Sequence, residues 1–84
     1  MDDDGRIARW IALDPLRPWP AEARIRDFGV PVWALIGHYR YATGHDVERV
    51  ATDYELPLEA VEAALAYYGR HQAEIDARLA ANAA

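Results

Sequence analysis

Cysteine and serine are both missing from this chain of 84 residues. The first absence excludes disulfide staples, a thiolate nucleophile and the paired-cysteine spacing of a zinc site. The second leaves only Thr43, Thr52 and the tyrosines as hydroxyl nucleophiles, none beside an evident activating base. His38, His45 and His71 stand too far apart to share one turn of a helix, and no His-Glu-x-x-His spacing occurs. Carboxylates are numerous but fall where a solvated face is expected. The expectation is a protein that is not an enzyme, with no catalytic residue, metal ligand or cofactor. Also missing is any apolar run near the ~20 residues that cross a bilayer. The acidic opening Asp2-Asp3-Asp4 is unlike a secretory leader. A soluble, cytoplasmic protein without a membrane partner is expected.

What is present fits one small domain, marginal on core burial alone. The net charge of −5 is unevenly spread. Residues 46–69 set Arg49 against six carboxylates, while residues 21–45 set Arg24, Arg26 and Arg40 against Glu22 and Asp27. Affinity for nucleic acid follows local phosphate neutralisation. The basic candidates therefore lie before residue 50.

Residues 1–9 read as a ragged polar start. Trp10 to Leu13 is a short apolar run stopped by Asp14-Pro15, and Ala23 to Val30 is a second short strand. Together they predict a small hairpin or arm, which must lie on helices because a lone ribbon is barely stable. Pro31 suits the start of a helix with Val32, Leu35, Ile36 and Tyr39 on its buried stripe and Gly44 as its cap. A second helix starts at His45 or Asp46, the latter the better cap by chemistry, with Val47, Val50, Ala51 and Tyr54 facing inward. A tight Glu55-Leu56 turn and Pro57 lead into a third helix.

That third segment carries Leu58, Val61, Leu65, Tyr68, Ile75 and Leu79 at helical spacing. Read as one helix from Leu56 to Leu79 it extends about 35 Å at 1.5 Å per residue, with Gly69 as a point of kinking. Such a helix outreaches the core the other segments can build, so its far end is expected to meet a second chain. The fold class expected is mainly α: a trihelical helix-turn-helix core with a short N-terminal strand element and an extended third helix, forming a homodimer. The arm covers residues 1–22, the trihelical domain 23–80, and a disordered tail 81–84.

Asp53 to Asp76 resembles the C-terminal signature of domain-of-unknown-function family 433, most specifically in Ala64-Leu65-Ala66-Tyr67-Tyr68 with His71, Ile75 and Asp76. Val30-Pro31-Val32 is similar to that family's step into its first helix, Gly44 to its glycine before the second, and Arg24-Ile25 to its strand. Asp27, Phe28 and Gly29 stand where relatives carry a Gly-Thr-Arg turn, and Pro57 where they carry a capping threonine. The resemblance implies a homeodomain-like core. It also implies an antitoxin-like role, in which a dimer neutralises a small PIN-like ribonuclease toxin and represses its own promoter. A DNA-binding regulator without a toxin, or a structural homodimer, are the alternatives.

Candidate residues follow from charge and aromatic placement. Arg24, Arg26, Arg40, Tyr41 and Arg49 are the candidates for operator DNA, since arginine and tyrosine donate to phosphates and arginine to guanine edges. Arg49 also stands four residues before Asp53, the spacing of a local ion pair. Glu59 and Glu62 would repel phosphates at the start of the third helix. For a partner or dimer interface the candidates are Trp10, Trp19, Trp33, Tyr67, Arg70, Ile75, Arg78 and Leu79. Tyr54 and Tyr68 are assigned to the core, and Tyr67 falls beside the seam. An arginine inserted among a toxin's metal-binding carboxylates could come from Arg70 or Arg78, or from Arg6, Arg9 or Arg17.

Overall fold

The computed structural model describes residues 2–83. Its first element is helix α1, Asp3–Trp10, where a ragged start was expected. The reason is local chemistry. The Asp2 side chain accepts a hydrogen bond from the Gly5 N–H at 2.6 Å, Asp3 and Asp4 sit in the positive first turn, and Arg9 sits in the last. Within the arm expected over 1–22, Asp3–Trp10 form a helix and Ile11–Ala12 a strand, and Met1 lies outside the described residues.

The expected hairpin is present and small. Strand β1, Ile11–Ala12, pairs antiparallel with β2, Arg24–Ile25, in the register Ile11 to Ile25 and Ala12 to Arg24. A single 3₁₀ turn, Pro20–Glu22, lies in the connection. The second strand ends sooner than Val30 because Asp27 and Gly29 both take positive φ, at 69° and 74°, and turn the chain back.

Helix α2, Val32–Gly37, buries Val32, Leu35 and Ile36 as its stripe predicts. It continues as a π-helical segment, His38–Ala42, closed by the Thr43 N–H on the His38 carbonyl at 3.0 Å. Gly44 follows at φ 66° and His45 at φ 71°. Helix α3, Val47–Tyr54, starts on Asp46, whose carboxylate accepts from the Arg49 N–H at 3.0 Å. Of the two expected caps, aspartate is the one used. Glu55, left-handed at φ 54°, makes the tight turn into helix α4, Leu58–Arg70.

The extended third helix is not formed. At His71, with φ −132° and ψ 37°, the chain breaks and helix α5, Gln72–Ala83, folds back. Ile75 becomes fully buried and Leu79 packs on Gly37 of α2. Tertiary burial overrides a helical periodicity that resumes at Ile75 after the polar Gln72. The seam that called for a second chain is therefore covered within the chain. In place of the tail expected over 81–84, α5 runs to Ala83, and Ala84 lies outside the described residues.

Helix α4 is the centre of the fold. Ala60, Val61, Ala63, Ala64 and Tyr67 are buried, under α1 on one side and against α2 and α3 on others. No residue from Ala60 to Tyr68 is fully exposed. The buried face is turned about one residue from the predicted seam: Leu58 is 42% exposed and Tyr67, not Tyr68, is in the core. Small alanines let neighbouring helices approach closely on that face.

Candidate functional site

A groove of about 660 Å³ opens between the π-helical segment and α5, and reaches the end of α3. Trp33, Gly37 and Tyr41 form one wall, Leu79 and Ala80 the other, with Tyr54 at the α3 end. The widened π turn is what brings His38, Arg40 and Tyr41 to it; such segments recur at functional sites. Tyr41 is 73% exposed, a large aromatic surface left to solvent.

Two hydrogen-bonded clusters flank the groove. In the first, Arg40 Nη1 donates to the Tyr68 hydroxyl and to Asp76 Oδ1, both at 3.1 Å, while the Tyr68 hydroxyl donates to the same carboxylate at 2.7 Å. One arginine thus ties the π turn to α4 and α5. Burial of the Tyr68 ring, together with this donated hydrogen bond, raises the phenol above its usual value. In the second, His38 Nε2 lies 2.8 Å from Asp53 Oδ2, and Arg49 Nε donates to Asp53 Oδ1 at 3.2 Å. The His38 hydrogen bond, with help from Arg49, holds the Asp53 carboxyl below its ordinary 3.8 against a partial loss of hydration. The Arg78 guanidinium stacks 4.3 Å from the centroid of the Trp33 ring and its Nε donates to Glu22 at 3.1 Å.

Each arginine offered for DNA is engaged within the chain. Arg24 pairs with Asp14 at 3.0 Å on the hairpin. Arg26 donates to the carbonyls of Ala8, Arg9 and Ile11, closing the C-terminal end of α1. Arg40 and Tyr41 lie at the groove, and Arg49 is held by Asp53 in the expected i,i+4 pair.

The interface candidates separate as clearly. Trp33 and Leu79 line the groove, and Arg78 stacks on Trp33. Tyr67 and Ile75, candidates for a partner or dimer interface, are buried in the chain's own core instead. Burial, then the nearby Glu74 charge, raises the Tyr67 phenol. Trp10 packs against the core, Trp19 is 59% exposed in the loop before β2, and Arg70 is ion-paired with Asp4 of α1. Sequence reading missed Asp76, whose partner Arg40 lies 36 residues away, and the His38–Asp53 pair, whose members sit on neighbouring helices 15 residues apart. Among the described residues, no three histidine or carboxylate side chains converge as a metal set, and no helix is long and apolar enough to cross a membrane. The arrangement offers shape, aromatic surface and fixed charges.

The profile of the family described as "Protein of unknown function (DUF433)" matches residues 21–68. The chain belongs to that family. The DUF433 span runs from the Pro20–Glu22 turn through α4 as far as Tyr68, so it includes the π turn and the Asp53 cluster. Helices α1 and α5 lie outside the matched span, as do His71, Ile75 and Asp76. No curated protein and no solved structure matches the chain.

Proposed function

We propose that this DUF433 chain is an antitoxin-like binding protein that neutralises a small PIN-like ribonuclease in the cytoplasm, with repression of its own promoter as an accessory activity. The observation that carries the reading is the groove: apolar walls from Trp33 and Leu79, with exposed Tyr41 at its edge. Aromatic side chains in such a setting are the usual anchors of protein interfaces. Occlusion fits better than insertion of an arginine. Arg6, Arg17, Arg70 and Arg78 each pair with a carboxylate of this chain, and Arg9 lies over the Trp10 ring.

Within this proposal α2, α3 and α4 are the homeodomain-like helix-turn-helix core. Helix α4 is poorly suited to the major groove, since its middle is covered and Glu59 and Glu62 lie near its start. Any DNA contact is assigned instead to Arg24, Arg26, Arg40, Tyr41 and Arg49, as backbone contacts without base readout.

The test is association of the purified chain with the product of a neighbouring reading frame that has the spaced aspartates of a metal-dependent ribonuclease. Binding and loss of nuclease activity at a fixed ratio are expected, and Tyr41→Ala should weaken both by about ten-fold or more, as a hot-spot aromatic does. Failure of the two proteins to associate would overturn the toxin reading. Promoter binding with no toxin binding would leave the DNA-binding regulator.

A further inference from the structure

The α4–α5 connection is one residue long. His71 alone separates Arg70, the end of α4, from Gln72, the start of α5. The local sequence offers Gly69 and a polar Gln72 but no residue that forces a break. No proline occurs from Leu58 to Ala83, and Gly69 sits inside α4, where an added Cβ would meet nothing within 4 Å. The break also has a local cost: the first N–H groups of α5 lose the carbonyls they would find in a continuous helix.

What holds α5 in place is tertiary. Ile75 is buried, Leu79 sits on Gly37, Arg78 reaches Glu22, and Asp76 receives Arg40 and Tyr68. A second copy of the chain could make every one of these contacts. Only the His71 ring against Tyr67, at 4.5 Å, and its hydrogen bond to Glu74 belong to the hinge itself.

We propose that two copies exchange α5. In the exchanged pair Leu58–Ala83 runs as one straight helix, and α5 of each copy docks on α2 and the Pro20–Glu22 turn of the other. The straight helix spans 26 residues, about 39 Å at 1.5 Å per residue. The domain's longest dimension is 29 Å. A lone chain with that helix would carry Ile75 and Leu79 away from its core, so the straight form needs a second copy. The exchange keeps the tertiary contacts and restores the helical hydrogen bonds, and its two-fold symmetry closes the assembly. The binding groove then becomes composite, with Trp33 and Tyr41 from one copy facing Leu79 and Asp76 of the other. This inference stands on the hinge and does not depend on the toxin reading.

The absence of cysteine makes a direct test available. A chain carrying Gly37→Cys and Leu79→Cys is unfolded, refolded at high concentration, oxidised and run without reductant. Exchange predicts a disulfide-linked dimer, because the two thiols that meet lie on different copies. Inserting Gly-Ser-Gly between His71 and Gln72 should return the disulfide to within one chain, since a longer connection favours folding back. The same topology is read independently from Glu22→Cys with Arg78→Cys and a short bismaleimide, should the first pair disturb packing. Linkage within single chains only, at every concentration and with both pairs, would overturn the exchange whatever the outcome with a toxin.

Discussion

Leu79 of α5 lies so close over Gly37 of α2 that a Cβ built on the glycine would stand 2.9 Å from Leu79 Cδ2. The contact joins the two helices that form the groove. Because Leu79 is flexible and borders open space, Gly37→Ala should shift that side chain and change stability by less than about 1 kcal/mol, the gain in helix propensity offsetting the displacement. Gly37→Leu leaves no such escape and should cost about 1–3 kcal/mol. Urea unfolding of the two variants separates these outcomes.

Ile75 is the residue that anchors the fold-back. Its burial is complete, so Ile75→Ala should cost about 2–5 kcal/mol through lost transfer energy and a residual cavity. The loss is expected first in hydrogen exchange, as reduced protection of α5 with α3 still protected. Equal loss across all helices would show that α5 has no separate opening.

Arg26 donates to three carbonyls around the end of α1. Arg26→Ala should destabilise the domain by about 1–3 kcal/mol and expose α1 amides to exchange. Arg24→Ala removes only a half-exposed ion pair with Asp14 and should change stability by about 0–1 kcal/mol. If Arg26→Ala weakened DNA binding without touching the stability of α1, its assignment as a helix-end donor would be wrong.

Asp53 is held below its ordinary value by His38, with Arg49 assisting. A lowered carboxyl contributes stability that is present above its unfolded value near 3.8 and is lost as pH falls through the lower folded value. Acid unfolding of Asp53→Asn should therefore be flatter with pH than that of the unaltered chain in this acidic range. Parallel curves would dissociate Asp53 from acid stability.

Tyr67 and Tyr68 are both raised above 10, chiefly by burial. Their stabilising effect is complete below that value and is lost as pH rises through the higher folded values. Phenolate absorbance should show two of the five tyrosines ionising late, together with unfolding. Tyr68→Phe should remove one late step and cost about 1 kcal/mol, the usual net worth of such a hydrogen bond.

Helices α2 and α3 were legible because stripe, cap and turn agreed: Asp46 caps as its chemistry requires, and Gly44 and Glu55 turn the chain where the apolar pattern stops. The capping signal of Asp2 with Asp3 and Asp4 was also written in the sequence, but short polar helices carry little periodicity to draw attention. The break at His71 had only weak local signals, Gly69 and the polar Gln72 in the apolar seam. Its cause is non-local: Ile75 is buried and Leu79 packs on Gly37 of α2. Choosing Tyr68 over Tyr67 for the core followed the Leu58-Val61-Leu65 spacing within α4, and the buried face was offset by one position. Half of the site was visible as Trp33, Arg40, Tyr41 and Leu79, while Asp76 and His38 gained their roles only from tertiary proximity.

The π turn at His38–Ala42 has a consequence for chain length. A wide turn of this kind holds one residue more than an ordinary α-turn, so loss of a single residue there would leave α2 and α3 intact while restoring regular winding. Each helical residue advances about 100° around the axis, and the side chain now at Tyr41 would swing by that amount. In a related chain one residue shorter between Pro31 and Asp46, an aligned aromatic would thus face another direction, and matching letters in that column would not mean a matching surface.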